Sequence, residues 1–139
     1  MISVHAGNLT PAQATAAAAT HGMGLISNAV RCTLVERLNG DRSLRLEAPY
    51  TEHNHGLLVA DRLVCVEGQF YRIIKPRRSD RRGQCVINLE AQHVLYDLQQ
   101  MPIENIETKE DPAYVDGITA AQALQQVLAG TPFAPGTVD

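Results

Sequence analysis

The sequence predicts an α+β domain, a mainly antiparallel β-sheet or small β-barrel of about six to seven strands with an amphipathic helix near the C-terminus. Three observations carry this. Apolar residues alternate with polar ones through Val30, Cys32 and Leu34 and again through Leu44, Leu46 and Ala48, the period of a strand with one wet face. Asn39-Gly40-Asp41 stands between those arms, and Asn and Gly tolerate the positive φ of a tight hairpin turn. Thr119-Ala120-Ala121-Gln122 forms a capping box ahead of Leu124, Val127 and Leu128, which opens a helix with one apolar stripe.

Taken in order, Ile2 to His5 reads as a short strand ended by Gly7-Asn8. Thr10 as N-cap, Pro11 at the first helical position and Gly22 beyond the end favour a helix through Ala19. Its apolar surface is only methyl groups, which leaves an ordered loop as the alternative. The central hairpin follows, with Asn39 and Gly40 as its structural turn and Pro49 as its close. Thr51 to Gly56 reads as a solvated polar connection. His53 and His55 with Glu52 or Asp61 could be drawn as a metal site, but the spacing lacks a diagnostic third ligand.

Leu63–Val66, a turn at Glu67-Gly68, and Phe70–Lys75 make a second hairpin. Its runs Leu63-Val64-Cys65-Val66 and Ile73-Ile74 are apolar on both faces and are expected to be covered on both. Pro76 is expected to end that strand. Arg77, Arg78, Arg81 and Arg82 then crowd a connecting turn before the alternating run Gln84–Ala91. A basic tip of this kind can contact phosphate, although no aromatic lies among the arginines to stack a base. His93 to Leu98 reads as an exit into a helical turn with Val94, Leu95 and Leu98 facing inward. Met101 to Gly117 is acidic and broken by Pro102 and Pro112, the pattern of a linker.

The organisation expected is one domain over 1–139, with a β core at 29–98, an acidic linker at 99–117 and a helix at 118–130. At 139 residues and 45% apolar content, a single core of Leu, Val, Ile and Ala suffices. A formal net charge of −3 removes the general positive field of nucleic-acid binders, so any basic effect must be local. The 3 cysteines are widely spaced in apolar strand patterns and are expected to be free and buried. No apolar run reaches the roughly 18 residues of a membrane span, and Met1-Ile2-Ser3-Val4-His5 lacks the layout of a signal peptide. A protein made in the cytoplasm with no membrane span is expected. Neither a Gly-rich phosphate loop nor a hydrolase motif is found, and no cofactor is expected. Cys85 with His93, or the acidic residues from Glu104 to Asp116, would be the candidates were the chain an enzyme.

Cys32-Thr33, Glu36, Leu38-Asn39-Gly40 and the strand ending at Pro49-Tyr50 occur in one order with Gly68-Gln69-Phe70-Tyr71-Arg72-Ile73, Ala91–Leu98 and Thr119–Thr131. This succession resembles the N-terminal domain of the phage minor structural proteins, also called the prophage endopeptidase tail or tail-associated lysozyme family. The resemblance spans Leu25 to Phe133. It implies a barrel similar to those of baseplate hub proteins, a homo-oligomeric (trimeric) ring at the virion tail tip, and contacts with other tail proteins. It also implies that this chain is the N-terminal part of a longer protein whose later regions bind receptors or degrade cell wall. Leu63–Val66 and Phe70–Ile74 are the strands expected to supply part of the ring contact. Arg77, Arg78, Arg81 and Arg82 would face solvent or the lumen and meet passing DNA without sequence readout. A small nucleic-acid-binding barrel using that tip is the alternative.

Overall fold

The computed structural model describes residues 1–38, 40–101, 119–129, 131 and 133. The chain divides into two compact units, Met1–Tyr96 and Asp97–Asp139. The first is built on β1 (Ile2–His5), α1 (Pro11–Ala17), β2 (Gly24–Leu25), β3 (Arg31–Glu36), β4 (Arg42–Pro49), α2 (Glu52–Leu57), β5 (Leu63–Val66), β6 (Gln69–Arg81) and β7 (Gln84–His93). A 3₁₀ helix over Val94–Gln100 follows, and α3 (Ala120–Leu128) lies in the second unit. The acidic stretch expected to be a linker falls almost wholly outside the described residues.

Among the described residues seven strands form one antiparallel sheet in the order β2-β1-β5-β6-β7-β4-β3. Sheet formation thus begins at Ile2 rather than at residue 29. Because every strand carries the right-handed twist of L-residues, a sheet this wide curls. One core cluster consequently unites Val4 of β1 and Val64 of β5 with Leu44, Leu46 and Ala48 from β4, near the other end of the strand order. The expected barrel stops short of closure, since β2 and β3 end the sheet without pairing to each other.

Leu63–Val66 is buried at every position, as its two-faced apolar pattern requires. Val64 and Val66 enter the main core, while Leu63 and Cys65 join Phe70 in a second cluster against which Ala14, Ala17 and Ala18 pack. That packing decides between helix and loop at Thr10: the segment is helical, with a reciprocal Thr10–Gln13 capping box. Ile74 departs from the expectation. It is 49% exposed because a register shift between Ile73 and Lys75 turns it out of the core.

Two turns show why the second and third hairpins are tight. Glu67 and Gly68 have φ of 52° and 78°, and Arg82 and Gly83 have 52° and 77°. Left-handed backbone at both central residues is the requirement of a type I′ turn, whose twist matches that of the flanking strands. The β3–β4 reversal is looser. Gly40 N–H donates to the Arg37 carbonyl and Arg37 N–H donates to the Asp41 carbonyl, each at 3.0 Å. Asn39, the other residue expected there, lies outside the described residues. The Tyr96 hydroxyl clamps this reversal, accepting from Arg42 N–H at 3.1 Å and donating to the Gly40 carbonyl at 3.2 Å. Tyr96→Phe should therefore lower stability by about 1 kcal/mol, the net worth of such hydrogen bonds. Equal urea midpoints for the two proteins would contradict it.

Pro76 does not end its strand. β6 runs on to Arg81, pairing Pro76 with Leu89. Counting back from the Arg81–Gln84 pair that closes the turn, hydrogen-bonded and non-bonded pairs alternate, and Pro76 takes a non-bonded place. Its missing N–H would have faced the side of β6 that β5 no longer covers.

The polar connection after Pro49 is also structured. Thr51 caps α2, its hydroxyl accepting from Asn54 N–H at 3.1 Å, and Asn54 is 1% exposed. In the exit from β7, Val94 packs on the second cluster as expected, but Leu95 is 49% exposed. In the second unit, α3 starts at the expected Thr119–Gln122 capping box.

His5 links the fold to pH. It is buried, 2.8 Å from the Ser3 hydroxyl and edge-on to Phe70. Desolvation lowers its pKa, and burial, then the nearby Arg42 charge, lower that of His93. In the unfolded chain both return to about 6.5, so below that value the unfolded state binds more protons. The stability contribution is full above the unfolded pKa and drains as pH falls through the folded one. The Tm should fall between about pH 7 and about pH 5, and His5→Gln should fall less over the same range. A wild-type Tm flat across this window would refute the assignment.

Candidate functional site

Alternation through the last part of β6 decides where the arginines go. The four expected at one tip are divided among two faces and a turn. Arg77 and Arg81 point away from the core, on the same face as Glu47 and Asn88. Arg78 takes the opposite face: its Nε donates to Cys85 Sγ at 2.8 Å and its guanidinium lies 4.4 Å from the Tyr50 ring centroid. Arg82 occupies the left-handed turn.

The outward face of β3, β4, β7 and β6 is ordered in rows by the register. Arg31, Glu47, Asn88 and Arg77 form one row, each paired to the next across a strand boundary. Thr33, Arg45, Glu90 and Lys75 form the row beside it. Between them runs a groove of ≈ 490 Å³. Both acids are already engaged. One Arg81 nitrogen donates to the two Glu47 carboxylate oxygens at 2.8 and 3.0 Å, with the Glu47 side chain only 12% exposed. Arg45 Nε lies 3.7 Å from Glu90. The sequence reading missed Arg31 and Arg45, which are far from the arginine run along the chain and meet it only through strand pairing, and Lys75, which stands two residues before Arg77 on the same strand.

A second feature is the outer edge of β3, which no other strand of the described residues pairs. Val30 is 60% exposed, Cys32 is exposed and Leu34 is half-buried, although all three occupy core-side positions of the alternation. Partial burial of the Cys32 thiol, then the Glu67 carboxylate, raise its pKa, while the amino terminus acts the other way. The expectation of three buried cysteines is thus met only by Cys65, whose thiol burial pushes up, with Cys85 intermediate.

Other candidate constellations do not come together. Cys85 and His93 sit at opposite ends of β7, roughly 25 Å apart at about 3.3 Å per residue. His53 Nε2 is 3.0 Å from the Leu25 carbonyl while the His55 ring stacks near Tyr50, so the two imidazoles serve different neighbours. Among the described residues no group of three His, Cys, Asp or Glu could hold a metal ion, and no helix is long and apolar enough to cross a membrane. Glu104 to Asp116 lies outside the described residues. Leu63–Val66, expected to supply ring contacts, is covered within its own chain by the core and by α1.

No protein-family model matches the chain, and a search of curated proteins found none similar to it.

Proposed function

We propose that this chain is a structural component of a phage or prophage tail tip, assembling into a homo-oligomeric ring that anchors downstream receptor-binding or wall-degrading parts. The observation that carries the reading is the unprotected edge at β3. Proteins blunt exposed edges with proline, lysine or inward charge because free N–H and C=O groups template pairing with another chain. The outer half of β6 is blunted in this way by Pro76, Lys75 and its arginines. β3, with the run Cys32-Thr33-Leu34-Val35 between Arg31 and Glu36, is not. Exposed core-side positions beside an incomplete barrel favour burial by a neighbouring copy, whose contact closes the curl.

The resemblance of Cys32–Tyr50 and the three later segments to the phage minor structural proteins supplies the tail-tip setting and the trimeric state. A ring requires contacts between unlike patches on neighbouring copies. In this reading β3 is one such patch, replacing the buried β5. Light scattering at tens of micromolar on the chain, and on any longer polypeptide that contains it, tests the assembly. The mass of three copies is expected, and Leu34→Lys, which blunts the edge, should return the monomer. Monomer alone for both polypeptides would overturn the reading.

A further inference from the structure

We infer that the outward face of β3, β4, β7 and β6 is a binding surface for an extended phosphodiester polymer, nucleic acid being the form it takes. The inference stands on the geometry of this face and not on the ring.

On a chain whose formal net charge is −3, this face gathers Arg31, Arg45, Lys75, Arg77 and Arg81 against only Glu47 and Glu90. Glu47 is taken by Arg81 and Glu90 by Arg45. Arg31, Lys75 and Arg77 are left around one groove with no ion pair among the described residues. Gathering unpaired cations raises the energy of the free protein, and an anion laid in the groove relieves it.

Spacing then selects the class of anion. Arg31 and Arg77 stand in one row separated by three inter-strand steps, about 14 Å at about 4.8 Å per step. At that spacing Arg31 and Arg77 can each take a separate phosphate along one chain of phosphates. Lys75, two residues from Arg77 on the same face, extends the contact along the strand. Side-chain chemistry sets the mode. Arginine forks match phosphate oxygens, and the Thr33 hydroxyl and Asn88 amide add neutral donors. Among the described residues no aromatic lines the groove to stack a base, so the surface reads backbone and not sequence. Arg78 and Arg82 take no part, the former being turned to Tyr50 and Cys85.

The test is fluorescence anisotropy of a short labelled DNA duplex titrated with the protein at several salt concentrations. Binding should be independent of base sequence. The log–log salt slope should lie near −3, at about −0.9 per phosphate neutralised by Arg31, Lys75 and Arg77. The combined variant Arg31→Ala, Lys75→Ala, Arg77→Ala should lose at least about tenfold in affinity and flatten the slope, with an unchanged Tm showing that it is folded. Arg78→Ala with Arg82→Ala should leave both quantities as they were. No binding at low salt, retention by the combined variant, or loss in the Arg78 and Arg82 variant would each overturn the inference. Displacement by low millimolar inorganic phosphate would show a small-anion site and overturn the polymer. None of these outcomes depends on oligomeric mass, so the ring and the polyanion surface stand or fall separately.

Discussion

Leu46→Ala should be among the most destabilising single changes in this chain, costing about 3 kcal/mol. Leu46 is 2% exposed in the middle of β4, which is flanked on one side by β3 and on the other by β7. Its side chain belongs to the cluster that joins both ends of the curled sheet. Removing it both forfeits burial of the deleted methyl groups and leaves a cavity that a close-packed interior fills poorly. Leu34, on the neighbouring strand and half-buried at the open edge, is the control. Leu34→Ala should cost about 1 kcal/mol or less, because it removes an incompletely buried group. Chemical denaturation of both variants measures the difference. Equal losses would mean that β3 is covered as fully as β4, contrary to the open edge.

Asn54→Leu should cost about 2 to 3 kcal/mol, from unsatisfied polar groups rather than from lost volume. Asn54 is 1% exposed, and its amide donates to Asn28 Oδ1 at 3.0 Å and to the Pro49 carbonyl at 2.8 Å. Leucine is close in size but supplies no donor. The Pro49 carbonyl and the Asn28 side chain would then stay in a partly buried site without their partner, which is the expensive case for a hydrogen bond. The change should also loosen the contact of α2 with the segment before β3, exposing Ile26 and Leu57, both core residues. An unchanged denaturation midpoint would show that water reaches these groups freely.

Much of this architecture was legible in the residues. Strict alternation located β4 and β7, the Glu67-Gly68 step located a hairpin turn, the capping box at Thr119 started a helix, and the N-cap and proline at Thr10-Pro11 favoured one that packing then decided. These signals are local, and local signals survive folding when tertiary packing agrees with them. What failed depended on distant partners. Glu52–Leu57 has no apolar period and reads as a loop, yet it is helical, capped by Thr51 and anchored by the buried Asn54. Pro76 reads as a stop because proline lacks a donor, but the register places it where none is needed.

The candidate site shows the same division. The arginine run was plain in the sequence, but a two-residue turn instead of a long loop carries the strand through it and sends Arg77 and Arg78 to opposite faces. Arg31 and Arg45 entered the site through cross-strand register, which no single stretch of sequence encodes, whereas Lys75 joins it from two residues before Arg77 on the same strand. The cysteines erred for a related reason. Cys32 has the pattern of a core position, but its strand ends the sheet, so the face that should bury it remains open.

The central claim, that the edge of β3 is where copies of this chain join, is tested most directly by amide hydrogen exchange measured at low and high protein concentration. Arg37 closes the β3–β4 reversal with its N–H on Asp41, so alternation directs the amides of Val35, Thr33 and Arg31 to β4 and those of Glu36, Leu34 and Cys32 outward. The account predicts that Cys32, Leu34 and Glu36 exchange rapidly in dilute solution and become protected as concentration rises, while Val35 and Thr33 are protected throughout. Rapid exchange at Cys32, Leu34 and Glu36 that does not change with concentration would contradict it.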